Sequence, residues 1–237
     1  MKLPLFLLFV LFTFACEDDD DFQDNMTPMG PTQDTLRQIT YLALGDSYTI
    51  GTSVTAQERW PDQLSAALAD QHSIEVSDLD IIAVNGWTTR DLINGINAGV
   101  PRNEYDLVSL LIGVNNQYQG KSIREYELEF RELLNTAISY AGGDKNKVFV
   151  VSIPDYAFTP FGGGSQQITD ELVEFNASGR RLATEAGIPF YNITPISQEA
   201  QDDPELVASD NLHPSGKQYA RWVEEVILAQ VARLLEE

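Results

Sequence analysis

Three residues far apart in the chain have the types that make a hydroxyl reactive at neutral pH. Ser47 stands in Gly45-Asp46-Ser47-Tyr48, directly after the apolar run Ile39-Thr40-Tyr41-Leu42-Ala43-Leu44, and Asp210 and His213 lie three residues apart in Asp210-Asn211-Leu212-His213-Pro214. A serine hydroxyl attacks a carbonyl only if a base takes its proton, and a histidine base works best when an acid fixes its ring. Of the two histidines in the chain, His213 stands beside an acid in this Asp-His block, whereas His72 lies in a polar stretch without a partner and is given no role. Taken singly, each segment has a plainer reading. Gly45-Asp46-Ser47 is also a strand-to-helix turn whose side chains satisfy backbone donors, and His213-Pro214 is also a helix start.

Whether these residues can meet depends on the elements that carry them. From residue 37 onward, short β-rich runs alternate with longer stretches of helical period. Strands are expected at Ile39–Leu44, Asp80–Val84, Leu107–Ile112, Val148–Ile153 and Pro189–Ile193, mostly continuous apolar runs of the kind covered on both faces. Pro61 opens a helix with Leu64, Ala67 and Leu68 on one side. Ser122-Ile123-Arg124-Glu125 reads as a capping box for a helix that carries Ile123, Tyr126, Phe130, Leu133, Leu134, Ala137 and Ile138 inward and stops at Gly142-Gly143. A further helix is expected from about Asp170 to Glu185, ending at Gly187, and a last one with Tyr219, Trp222, Val223, Val226, Ile227 and Leu234 on one face. Such alternation means one α/β domain, a parallel sheet between helices.

Ligands of open α/β sheets bind outside the carboxyl ends of the strands, and the residues just past each expected strand are small or polar. The ends read Gly45-Asp46-Ser47, Asn85-Gly86-Trp87, Gly113-Val114-Asn115-Asn116 and Pro154-Asp155-Tyr156, and the loop after the fifth leads to Asp210 and His213. In this order and spacing, the blocks resemble the SGNH (GDSL) hydrolase family over about residues 38 to 235. The resemblance implies a three-layer α/β/α sandwich on a five-stranded parallel sheet, flavodoxin-like in topology. It also implies a carboxylic ester hydrolase working through an acyl-enzyme without metal or cofactor. By the same resemblance Ser47 is the nucleophile, His213 the base and Asp210 its orienting acid. The resemblance likewise assigns the Ser47 and Gly86 backbone N–H groups and the Asn115 side chain to the oxyanion hole. Two positions depart from the family pattern: tyrosine, Tyr48, follows the serine where leucine gives the motif its name, and Asn116 stands where aspartate is usual.

Trp60, Trp87, Tyr118, Tyr156, Phe158 and Phe161 are placed on or near this edge, where they could stack on sugar rings or line an acyl groove. The expected substrate is a small-molecule or carbohydrate ester with a small acyl group, with a lysophospholipase or short-chain lipase as the alternative. A metal-dependent phosphoesterase normally needs several histidines, and only His213 is placed to serve. A non-catalytic glycan-binding lipoprotein would have no need of both Ser47 and His213. Asp155 reads as a loop residue near the site. Gly162-Gly163-Gly164 lacks the Lys-Ser/Thr of a phosphate loop and reads as a flexible segment. Asn176-Ala177-Ser178 matches a glycosylation sequon but falls in an expected helix and is set aside.

The 237 residues suffice for one substantial core, and 43% hydrophobic with 22% charged residues is ordinary for a globular protein. Acidic residues outnumber basic ones 36 to 15, a formal net charge of −21 that repels phosphate backbones and argues against nucleic acid as a partner. The apolar run Leu3–Phe12 is too short to span a bilayer, which needs about 20 residues, and has the length of a secretory leader. Residues 1–15 are therefore expected to be a signal peptide. Cys16, the only cysteine, resembles the lipidated residue of bacterial lipoproteins, although Thr13 stands where leucine is commoner. Glu17-Asp18-Asp19-Asp20-Asp21 opens an acidic tether, residues 16–36, with too little apolar surface to fold. The expectation is an exported protein lipid-anchored to the outer membrane, its cell-surface face included, with a periplasmic or secreted protein as the alternative.

Overall fold

The computed structural model describes residues 36–99 and 102–236. Cys16, the expected leader and all but the last residue of the expected tether lie outside the described residues. Five strands, β1 (Arg37–Gly45), β2 (Ile74–Ala83), β3 (Leu107–Leu111), β4 (Val148–Val151) and β5 (Phe190–Tyr191), pair in parallel in the order β2-β1-β3-β4-β5. Short helices α1 (Ser47–Ile50), α4 (Val114–Tyr118) and α7 (Thr194–Gln198) sit at strand ends. The longer α2 (Trp60–His72), α3 (Thr89–Ala98), α5 (Ile123–Tyr140), α6 (Gln166–Ala186), α8 (Gly216–Trp222) and α9 (Leu228–Glu236) cover the sheet. Helix α5 packs against α3 and α6, and α2 against α8 and α9, which gives a layer on each face. Among the described residues no helix is long and apolar enough to cross a membrane.

The central strands are the continuous apolar runs of the sequence. Tyr41, Leu42, Ala43 and Leu44 on β1, Leu107, Val108, Leu110 and Leu111 on β3, and Val148 and Phe149 on β4 are almost wholly removed from solvent. Each large side chain so buried contributes about 1.5–3 kcal/mol. The one polar residue among them, Ser109, is satisfied by the Tyr41 hydroxyl at 2.8 Å. Trp60, expected near the active edge, is instead core: it is fully buried and meets the Phe149 ring edge-on at 6.3 Å.

Strand β2 is longer than the expected Asp80–Val84 and ends one residue earlier. Among the described residues it is an edge strand paired only with β1, so Glu75, Ser77, Asp78 and Asp80 can face water and no continuous apolar run announces it. Helix α3 was not among the expected helices, yet it opens with a capping box in which Thr88 and Asp91 satisfy each other's backbone N–H groups, followed by buried Leu92, Ile93 and Ile96. At α5 only the serine half of the expected box forms. Ser122 accepts from the Glu125 N–H, while the Glu125 carboxylate lies 3.5 Å from Lys121. That helix does stop at Gly142 and Gly143, both with positive φ (68° and 86°). The last helix contains a π turn, Val223–Ile227, between α8 and α9. The extra residue per turn shifts the register, so Val231, Ala232 and Leu235 are buried and Leu234 packs only partly.

Strand order reverses around β1: the chain leaves it for β2 on one side and returns to β3 on the other. A crevice must open above the carboxyl ends of β1 and β3, because the connections from those two ends diverge.

Candidate active site

The turn leaving β1 is fixed by crowding. A Cβ on Gly45 would lie 2.2 Å from the Thr49 hydroxyl oxygen and 2.6 Å from the Leu111 carbonyl oxygen, so only glycine fits. Asp46 caps α1, its Oδ1 accepting from the Tyr48 N–H at 3.0 Å, and Ser47 becomes the first helical residue. Burial pushes the Asp46 carboxyl up to about 7. The Ser47 hydroxyl makes no hydrogen bond to any described residue, and Ser47 is only 3% exposed.

Gly86 has φ 85°, and nothing lies within 4 Å of where its Cβ would be, so its backbone conformation rather than space calls for glycine. The Asn115 Nδ2 donates to the Trp87 carbonyl at 2.9 Å, and Gln119 Nε2 reaches the Gly86 carbonyl at 3.4 Å. These bonds tie down the carbonyls of the turn, while the N–H groups of Ser47 and Gly86 have no acceptor among the described residues. Asn115 keeps a second N–H beyond the one given to Trp87.

Asn116, the departure from the family pattern, is fully buried and makes no approach to the cavity. Its Oδ1 accepts from the Thr89 N–H at 2.9 Å and its Nδ2 donates to the Thr89 hydroxyl at 2.7 Å. Thr89 in turn donates to Glu129, which pairs with Arg90 at 3.0 Å. An aspartate could not donate to the Thr89 hydroxyl and would stand close to a second buried carboxylate; the amide suits this network.

Asp210 and His213 sit on a loop pinned at its base by the Val207–Pro214 bridge and the Ala208 N–H to His213 carbonyl bond of 2.8 Å. All the acceptor capacity of the Asp210 carboxylate is used. Oδ1 accepts from the Leu212 and His213 N–H groups, each at 2.9 Å, and Oδ2 lies 2.6 Å from both His213 Nδ1 and the Ser53 hydroxyl. Partial burial works against the charge, but the hydrogen bonds from Ser53, His213 and Leu212 outweigh it and hold the carboxyl well below its usual range. In the neutral ring, donation from Nδ1–H to this carboxylate leaves the lone pair on the other ring nitrogen. His213 is 6% exposed, and the Tyr48 ring stands against its imidazole at 5.5 Å, tilted by 60°.

Ser47, Gly86, Asn115 and His213 line one cavity of about 320 Å³. Its far wall is aromatic: Tyr118, Tyr156 and Phe161 touch one another with centroids 6.5, 6.1 and 6.2 Å apart. Tyr156 is fixed by donation to Gln117 at 2.9 Å. Among the described residues no Asp, Glu, Lys or Arg lines this space, and no group of three or more His, Cys, Asp or Glu is placed to hold a metal ion.

The other expected members of the edge lie elsewhere. Trp87 is partly buried against Gly95, where any Cβ would overlap the indole at 2.3 Å, and Phe158 lines a neighbouring cavity. Asp155 is buried and spent on structure, accepting from the Ala157 N–H, the Thr169 hydroxyl and Gln198. Gly162-Gly163-Gly164 is not a loose segment. Bonds from Gly163 to Thr159, Gly164 to Ala157 and Ser165 to Gly162 fold it, and a Cβ on Gly162 would lie 2.0 Å from the Tyr156 carbonyl oxygen. The turn presents Phe161 to the cavity, and the Phe161 N–H bonds to the Asn211 carbonyl at 3.0 Å.

Residues 43–221 match the model of a family described as GDSL-like lipase/acylhydrolase. In fold the chain is similar to the psychrotrophic esterase EstA from Pseudoalteromonas sp., solved inhibited by monoethylphosphonate (TM-score 0.64, 16% identity, 84% of this chain and 99% of that one covered). It is also similar to Axe2, an acetylxylan esterase from Geobacillus stearothermophilus (0.61, 17%, 86% and 97%), and to the lipase/acylhydrolase from Enterococcus faecalis (0.60, 20%, 83% and 94%). No curated protein matches the sequence.

Proposed function

The chain belongs to the GDSL-like lipase/acylhydrolase family, whose members act on ester bonds, and on that premise we propose that it hydrolyses small neutral carboxylic esters through an acyl-Ser47 intermediate. The observation that carries this reading is that His213, whose Nδ1 pairs with Asp210 at 2.6 Å, lines one cavity with Ser47. In the proposed sequence the second His213 nitrogen takes the Ser47 proton as Oγ bonds to the ester carbonyl carbon. The carbonyl oxygen gains negative charge and is met by the Ser47 and Gly86 N–H groups and the free N–H of Asn115. The C–O bond to the alcohol then breaks, and His213 returns the proton to the leaving oxygen. Water attacks the acyl-enzyme by the same route and releases the acid.

Two features support a small neutral substrate. The described lining carries no cation to receive a phosphate head group, and the formal net charge of −21 disfavours anionic esters at the approach. Two rings of the far wall, Tyr118 and Phe161, are 60% and 52% exposed, a platform on which a sugar ring could stack. Acetylated carbohydrate is therefore the favoured substrate class, in keeping with the acetylxylan esterase among the structural neighbours. Kinetics on nitrophenyl esters of increasing acyl length and on acetylated xylo-oligosaccharides, with Ser47→Ala as blank, will test it. The expected result is kcat/KM highest for acetyl and falling steadily with chain length. A maximum at long acyl chains would turn the reading to the lipase alternative.

We also propose that Cys16 carries a lipid anchor and that Glu17–Asp21 belong to an acidic tether behind it. Wild type is then expected in the outer-membrane fraction. A Cys16→Ala variant found in the same fraction would remove the anchor.

A further inference from the structure

Asp210 has a partner that neither the family blocks nor the spacing of charged residues points to. Ser53 lies 157 positions away in sequence, and its hydroxyl donates to Asp210 Oδ2 at 2.6 Å, the same oxygen that holds His213 Nδ1. Ser53 has φ 69°, left-handed backbone that a serine rarely adopts. The residue is exposed, so its side chain has no packing to gain from that conformation. The bond to Asp210 is the only one its hydroxyl makes among the described residues. The segment that carries it is short and stiff. It leaves α1, the helix that begins at Ser47, through bonds from the Gly51 and Thr52 N–H groups to the Ser47 carbonyl, 3.1 and 3.0 Å, and from Val54 to Gly51. One stretch of seven residues, 47–53, thus carries both the serine and the group that grips the acid.

From this geometry we propose that Ser53 is a positioning residue for the ester hydrolysis: it locks the rotation of the Asp210 carboxylate, and through it the imidazole, in register with the Ser47 turn. The proposal rests on the reading of Asp210 as the acid that orients His213. Without Ser53, the backbone N–H groups still hold Oδ1, but Oδ2 is left with the ring alone, and the ring is free to rock with it. A partner that acts only on orientation should change kcat and leave KM nearly alone, because the cavity does not include Ser53.

The test uses Ser53→Gly, since glycine adopts the left-handed conformation without strain and the variant keeps the turn. On an aryl acetate, well below the melting temperature, kcat should fall about tenfold with KM within twofold, the size of one lost hydrogen bond to a charged group. Ser53→Asn, which tolerates the same backbone and can donate from its amide, should recover part of the loss. In an Asp210→Ala background, Ser53→Gly should cost less than a further twofold, because the group it positions is gone. A merely structural loop contact would not vanish there. If Asp210→Ala is crippled but Ser53→Gly keeps parental kcat, or costs the same tenfold in the Asp210→Ala background, the positioning role is overturned and the triad reading stands. If Asp210→Ala itself keeps parental activity, both fall together.

Discussion

His213→Ala is expected to lower kcat on an aryl acetate about 10⁴–10⁶-fold and to abolish labelling of Ser47 by a fluorophosphonate. Among the described residues, the titratable side chains that line the cavity are His213 and the phenols of Tyr48, Tyr118 and Tyr156, and a phenol holds its proton at neutral pH. Burial raises the Tyr48 and Tyr156 hydroxyls above their ordinary range, so at neutral pH they hold their protons and cannot replace the ring. The Asp46 carboxyl is next in sequence to Ser47, but it is fully buried and points its Oδ1 into the turn, at the Tyr48 N–H. Asp210 accepts from backbone N–H groups, the His213 ring and the Ser53 hydroxyl and has no acceptor capacity to spare. Loss of the imidazole therefore leaves the proposed nucleophile as an ordinary serine. The remaining rate would come from the oxyanion donors and substrate binding alone. The Tyr48 ring loses a neighbour at 5.5 Å, so melting temperature should be followed beside activity. Labelling at the parental rate in a folded variant would remove His213 as the base.

Much of this arrangement was legible in the residues themselves, and the reasons differ by element. Strands β1, β3 and β4 are buried on both faces, so burial leaves a mark in the sequence as an unbroken apolar run. Edge strand β2 leaves none over Ile74–Asp78, because its outer side must be polar to stay soluble. The serine, glycine and asparagine blocks were readable because each follows one of the three neighbouring strands β1, β2 and β3, whereas the Asp-His block, on a loop well past the far edge strand β5, was readable from its own residue types. Their supports were not. Ser53, Gln119 and Thr89 act through contacts 157, 33 and 27 residues distant, between residue types found in any loop. The aromatic wall was half legible: six rings were available near the edge, and only the fold selects Tyr118, Tyr156 and Phe161 for the cavity while sending Trp60 to the core. The Gly162–Gly164 turn misleads for a related reason. Three glycines suggest looseness, yet Gly162 is glycine because a carbonyl oxygen occupies the place of its side chain.

The Asn115 side chain tests the other half of the proposed chemistry, stabilisation of the charge that develops on the ester oxygen. Asn115→Ala is expected to lower kcat by about 10²–10³, equivalent to about 2.7–4 kcal/mol for one lost oxyanion donor. The amide has two N–H groups, one engaged with the Trp87 carbonyl at 2.9 Å and one available to the substrate. Alanine removes both, so the Gly86–Trp87 turn also loses a tie, at about 1 kcal/mol of stability. The turn does not fall apart, because Gln119 still reaches the Gly86 carbonyl and Asn116 still binds Thr89 through both of its amide atoms. A small fall in melting temperature together with a large fall in kcat is thus the expected pattern, with KM changed little, since a neutral ester oxygen draws less on that N–H than the charged one does. Asn116→Ala gives the contrast. It breaks the buried Thr89 contacts and should cost stability well before it costs chemistry, as Asn116 does not line the cavity. If Asn115→Ala runs within twofold of the parent, the oxyanion is held by backbone N–H groups alone and Asn115 serves only to pin the turn.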